Sequence, residues 1–93
     1  MKGGAFMDEA KIIGRVIRGI RREKELSQFV VSARAEINLS YYCKIERGEA
    51  NLSLKKLFSI LRVLEVTPSQ FIELVCLERQ FLIVSTATSP LLN

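Results

Sequence analysis

Residues 27–48 read SQFVVSARAEINLSYYCKIERG, from Ser27 to Gly48, and the punctuation of this stretch decides the fold. Ser27 can accept a hydrogen bond from a free backbone N–H at a helix start, which predicts a short helix over Gln28–Ala35. Glu36-Ile37-Asn38 then makes a three-residue turn. Asn38 is the natural cap of a further helix over Leu39–Arg47, and Gly48 stands where the chain leaves that helix in a left-handed conformation.

Upstream, Ile12, Ile13, Val16, Ile17 and Ile20 recur at helical spacing, so roughly Glu9–Glu25 reads as an amphipathic helix capped by Asp8. Lys11, Arg15, Arg18 and Arg22 share another face of it, a basic stripe whose plainest reading is a solvated surface. Downstream, Ser53 caps a helix whose Leu54, Leu57, Phe58, Leu61 and Leu64 mark the predicted buried face. Thr67-Pro68-Ser69-Gln70 is a strong start for a fifth, with threonine as cap, proline in the first turn and glutamine placed to reach back. Phe81-Leu82-Ile83-Val84-Ser85-Thr86 is apolar and β-branched on successive positions, which predicts an extended strand. The expected organisation is a flexible N-terminus (1–8), one five-helix, all-α domain (9–78, with the two short helices at 28–47) and an apolar C-terminal extension (79–93).

At 93 residues and 10.5 kDa there is room for one small domain. Apolar residues make up 48% and charged ones 26%, enough for a compact core and too ordered a composition for a disordered chain. The charge is uneven. Residues 1–56 hold 12 basic against 7 acidic side chains, net +5, and residues 57–93 hold 2 against 3, net −1. A basic front half joined to an apolar back half fits a polyanion-binding face linked to an assembly surface. There is no histidine, and Cys43 and Cys76 stand alone, so no metal site, cofactor or Cys-His nucleophile is expected. Neither a phosphate loop nor a nucleophile paired with a base is present, and no enzyme activity is expected. No apolar run approaches the ~20 residues that span a bilayer, and no export signal is seen, which points to a cytoplasmic, reducing location.

Two short helices joined by a three-residue turn form a helix-turn-helix, whose second helix can lie in the major groove of DNA. The chain resembles the Cro and lambda-repressor-like (XRE) family of bacterial and phage regulators. The resemblance rests on Ser27-Gln28, Ser32, Ile37, Asn38, Tyr42, Ile45, Glu46 and Gly48, and extends through Ser53-Leu54, Leu57, Leu61, Leu64 and Val66. Glu36 departs from the pattern. The family places glycine there at positive φ, and another residue costs on the order of 1 kcal/mol. Phe29, Val30 and Val31 are also more apolar than is usual in the family.

The resemblance implies a set of DNA contacts. Gln28 would reach a phosphate beside the start of its helix. Asn38, Leu39, Ser40 and Lys44 would face the groove, with lysine able to donate to guanine O6 and N7 and leucine able to meet a thymine methyl. Cys43 lies between them, as a groove-facing residue or a small spacer. Tyr41, Arg47 and Asn51 would touch the sugar-phosphate backbone or serve as ordinary surface residues. Arg21 and Glu46 would pair, holding the first helix against the recognition helix. Together these imply a regulator of double-stranded DNA, similar to small phage repressors or restriction–modification controllers, without a small-molecule ligand. The alternative is the antitoxin of a toxin–antitoxin pair, whose main partner is a toxin protein.

Phe71–Leu77 is apolar on nearly every face, interrupted by Glu73, and Phe81–Val84 adds four large apolar residues. One small domain cannot bury both. A two-fold dimer formed through Phe71, Leu74, Val75, Phe81, Leu82, Ile83 and Val84 would cover this surface; the alternative is that the tail folds back over its own core.

Overall fold

The computed structural model describes residues 8–88, which form five helices: α1 (Glu9–Glu23), α2 (Gln28–Arg34), α3 (Leu39–Arg47), α4 (Leu54–Leu64) and α5 (Pro68–Thr88). Each helix begins at a residue whose side chain accepts a backbone N–H three positions on. Asp8 caps Lys11 (3.0 Å), Ser27 caps Val30 (3.0 Å), Asn38 caps Tyr41 (3.1 Å), Ser53 caps Lys56 (3.2 Å) and Thr67 caps Gln70 (3.1 Å). The Gln70 side chain returns the bond to the Thr67 N–H at 3.0 Å, completing a capping box. Each cap stabilises its helix by about 1 kcal/mol.

The apolar faces meet in one core. Ile17 of α1, Val31 of α2, Tyr42 and Ile45 of α3, Ile60, Leu61 and Leu64 of α4 and Phe71 of α5 are all shut off from water. α1 is the hub, packing against both α3 and α5, while α2 lies on α3 and α4. Where α1 crosses the end of α3 the backbones nearly touch. A Cβ added at Gly14 would sit 2.5 Å from the carbonyl oxygens of both Ile45 and Glu46, and one at Gly48 would sit 2.6 Å from the Cα of Lys11. Gly48 also takes φ +73°, the left-handed exit its position demands. Glu36 adopts φ +60° in the turn between α2 and α3, as do Glu25 (φ 59°) and Glu65 (φ 60°) after α1 and α4.

Three sequence expectations are corrected. The segment Phe81–Thr86 is not a strand; α5 continues through it to Thr88. Residues 69–89 contain neither glycine nor proline, so a helix already nucleated at Pro68 adds residues cheaply, and it satisfies its own backbone without a sheet partner. Phe71 is no interface residue; it is 1% exposed and closes the core of its own chain. In α4 the buried set is Leu57, Ile60, Leu61 and Leu64, while Leu54 and Phe58 face outward. α1 also ends at Glu23 and α2 at Arg34, slightly short of the expected bounds. Residues 1–7 and 89–93, and the side chains of Leu82, Ile83 and Val84, lie outside the described part, along with the expectations placed on them.

The two α1 glycines should respond oppositely to alanine. At Gly14 a methyl group would collide with α3, and overpacking of this kind costs about 1–3 kcal/mol. At Gly19 nothing lies within 4 Å, so alanine there should gain up to about 1 kcal/mol of helix propensity. Urea midpoints of G14A and G19A moving in opposite directions would bear this out; equal shifts would contradict the close crossing.

Candidate nucleic-acid interface

Glu46, near the end of α3, is 5% exposed and receives four side-chain hydrogen bonds. The Arg21 guanidinium grips it with both prongs, Nε to Oε2 at 2.6 Å and Nη2 to Oε1 at 3.0 Å. The Tyr42 hydroxyl donates to Oε2 at 2.6 Å and the Gln28 amide to Oε1 at 3.0 Å. Arg21 Nη1 donates to the Leu26 carbonyl at 2.9 Å, which ties in the α1–α2 link. The Gln28 amide oxygen accepts a long bond from Cys43 Sγ at 3.4 Å. Among the described residues no buried side-chain polar atom lacks a partner.

Burial alone would raise the Glu46 carboxyl, but the bonds from Arg21, Tyr42 and Gln28 and the Arg21 charge outweigh it and hold its pKa below the usual carboxylate value. The same contact with Glu46 raises Arg21. Burial, then the adjacent carboxylate, pushes the Tyr42 phenol well above its ordinary value.

This network leaves one side of α3 free. Leu39, Ser40, Cys43, Lys44 and Arg47 share the outer face of the helix, and all but the half-buried Cys43 are exposed. Tyr42, Ile45 and Glu46 form the inner face. The Tyr41 hydroxyl donates to the backbone carbonyl of Asn51, and Lys56 stands over the Tyr41 ring, 5.8 Å from its centre. These contacts pin the α3–α4 loop beside the outer face. Arg47 Nε pairs with Glu49 at 3.0 Å in the open.

The structure thus gathers Leu39, Ser40, Lys44 and Arg47 on one surface, with Asn51 exposed at its edge. Asn38 spends its side-chain oxygen on the cap of α3. Gln28 is half-buried, and one amide N–H is committed to Glu46, which leaves the other for anything outside. Sequence reasoning missed the Tyr42 hydroxyl as a partner of Glu46, although their i, i+4 spacing on a helix signals it. It also set aside Arg18 and Arg22 as solvated surface; both line a hollow with Arg21, Gln28, Glu46 and Arg47.

The helix-turn-helix family model matches residues 17–71 of the chain. The chain is 35% identical over 61 residues to the uncharacterized HTH-type transcriptional regulator y4dJ of Sinorhizobium fredii (strain NBRC 101917 / NGR234), covering 66% of this chain and 79% of that one. It is 36% identical over 66 residues to control protein C.MunI of Mycoplasma sp, covering 69% and 89%. Among solved structures, it superposes with a TM-score of 0.75 at 30% identity on the restriction-modification controller protein C.Esp1396I, a tetramer in complex with its natural 35 base-pair operator, over 80% of this chain and 97% of that one. The controller protein C.AhdI from Aeromonas hydrophila matches with a TM-score of 0.65 at 27% identity, over 67% and 94%.

Because the Glu46 carboxyl holds its proton less tightly in the folded chain than in the unfolded one, the unfolded state takes up that proton first as pH falls, and acid favours unfolding. The contribution of Glu46 is therefore complete above about pH 5 and is lost as pH drops through the folded value. Glu46→Gln should lower stability at neutral pH by roughly 3 kcal/mol, since it leaves Arg21 buried without an anion, and should flatten the acid limb. Tyr42→Phe should cost about 1.5–3 kcal/mol and keep the acid limb. Denaturant titrations from pH 3 to 7 check both; an unchanged acid limb in E46Q would remove Glu46 from the account.

Proposed function

The chain belongs to the helix-turn-helix family of DNA-binding transcriptional regulators, and from that premise we propose that it acts as a homodimeric controller or repressor on a pseudo-palindromic operator. The observation that carries this reading is the outer face of α3, held rigid from behind by the Glu46 network and presenting Leu39, Ser40, Lys44 and Arg47 outward. Laid in a major groove, Lys44 reads base edges, Leu39 offers apolar contact and Ser40 is permissive. Arg47, Tyr41, Asn51 and the free N–H of Gln28 take the sugar-phosphate backbone, and Asn38 meets the groove at the start of the helix. The DNA-binding domain is residues 9–78, with residues 79–93 as its dimerisation extension, acting in the cytoplasm at the nucleoid. The reading assigns the chain no catalysis, cofactor or small-molecule ligand, and no feature of the fold favours the toxin-holding alternative.

Dimerisation is assigned to α5. Leu74, Leu77 and Phe81 recur at i, i+3 and i+7, so they share one face, and all three are exposed large apolar side chains. Val75 is half-buried against the core and supports that face from behind. Arg15 pairs with Glu78 at 2.9 Å, and Arg79 with Glu9, so α5 is clamped to α1, which also carries α3. A two-fold pairing of this stripe sets two recognition helices about one DNA turn apart, ~34 Å.

Selection of bound duplexes from a random pool should return an inverted repeat. On that operator Lys44→Ala should cost roughly 1–3 kcal/mol and relax preference at one base position in each half-site, whereas Arg47→Ala should weaken all sequences alike. Uniform weakening by Lys44→Ala would move it to the backbone set. Leu77→Asp/Phe81→Asp, at two exposed positions, should sediment as a folded monomer with much weaker operator binding. An intact chain that is monomeric at micromolar concentration with full operator affinity would overturn the dimer.

A further inference from the structure

Beside the outer face of α3 lies a hollow of about 320 Å³ lined by Arg18, Arg21 and Arg22 of α1, Gln28 of α2, and Glu46 and Arg47 of α3. Its one carboxylate is Glu46, and both oxygens of Glu46 are already bonded to Arg21, Tyr42 and Gln28. The charges of Arg18, Arg22 and Arg47 are therefore not compensated from within the hollow. Arg47 uses only its Nε on Glu49, and its terminal nitrogens make no ion pair among the described residues. Arg18 and Arg22, one helical turn apart on one face, form no ion pair among the described residues; on their other side they border a second hollow with Arg15, Gly19 and Glu78, whose carboxylate is held by Arg15. Arg18, Arg22 and Arg47 thus line one hollow with positive charge that its single carboxylate, already bonded to Arg21, does not offset, and planar guanidinium forks match the oxygens of a phosphate.

We infer that Arg18 and Arg22, with Arg47, form a seat for one backbone phosphate of the operator, placed on α1 and so outside the two helices of the helix-turn-helix. The inference rests on the DNA-binding reading above. Its location selects the phosphodiester backbone as the source. Arg47 belongs both to the hollow and to the face that carries Ser40 and Lys44, so a strand bordering the groove occupied by α3 runs past the opening. Gln28 also lines the hollow, and the one amide N–H that it does not give to Glu46 is a further donor for the same ligand. Such a contact fixes the register of α3 in the groove and reads no base.

The test compares the wild type with Arg18→Gln/Arg22→Gln, and with Arg62→Gln, at an exposed arginine of α4 that does not line the hollow, as the control, on the selected operator over a range of salt. The double variant should lower the slope of log affinity against log salt by about 0.9 per lost phosphate contact, about 1.8 for a dimer. Its base preference and sedimentation should match the wild type, and Arg62→Gln should leave the slope unchanged. A neutral methylphosphonate scanned through the operator should find one position per half-site that weakens the wild type and not the double variant. An unchanged slope in the double variant, while the wild type binds with strong salt dependence, overturns the seat and leaves the regulator reading intact. A wild type that binds no duplex above competitor overturns both. Saturable binding of pyrophosphate to the free protein at matched ionic strength, lost in the double variant, would make the hollow a small-anion site and overturn the backbone assignment.

Discussion

A single buried carboxylate organises this molecule. Removing Glu46 and Arg21 from water costs several kcal/mol per ion, and their attraction recovers that cost only when geometry is good and the remaining hydrogen-bonding positions are filled. Here both conditions hold: the pair is two-pronged, and Tyr42 and Gln28 occupy the rest of the carboxylate. The result is less a source of net stability than a means of alignment. Arg21 comes from α1, Gln28 from α2, Tyr42 and Glu46 from α3, so the three helices share one fixed point. Apolar packing alone would tolerate small rotations of α3 about its axis; a four-bond carboxylate does not.

The second constraint is steric. α1 approaches α3 so closely at Gly14 and Gly48 that their backbones replace side chains at the crossing. Further along α1, Arg15 and Glu9 hold α5 by ion pairs. One helix therefore relates the outer face of α3 to the exposed stripe Leu74–Leu77–Phe81, and the angle between those surfaces is set within a single rigid element. The surface pairs add little stability, since exposed ion pairs contribute about 0–1 kcal/mol, but they fix direction.

Much of this was legible in the sequence because it is local chemistry. All five caps follow from a polar side chain followed three residues on by its N–H, and the strain at Glu36 follows from a short turn without glycine. Arg21 and Glu46 are far apart in sequence, and family resemblance alone paired them. What escaped depends on tertiary context. In α4, apolar residues cover more than one face, so periodicity could not tell that Leu54 and Phe58 point outward. The β-branched run after Phe81 carried a strand signal, but strand propensity expresses packing against a neighbour that this fold does not offer among its described residues. Arg18 and Arg22 looked like any solvated charges, because only the folded chain shows that Arg15 has a partner and that they form no ion pair among the described residues.

The division of α3 into two faces also bears on how such a protein can diverge. The buried residues that tie the helix to the core, Tyr42, Ile45 and Glu46, point inward, whereas the side chains of Leu39, Ser40 and Lys44 are exposed on the opposite face. Substitutions at exposed positions of this kind usually alter stability by less than about 0.5 kcal/mol. Descendants of this chain can therefore exchange the outward side chains of α3 one at a time, without passing through an unfolded ancestor.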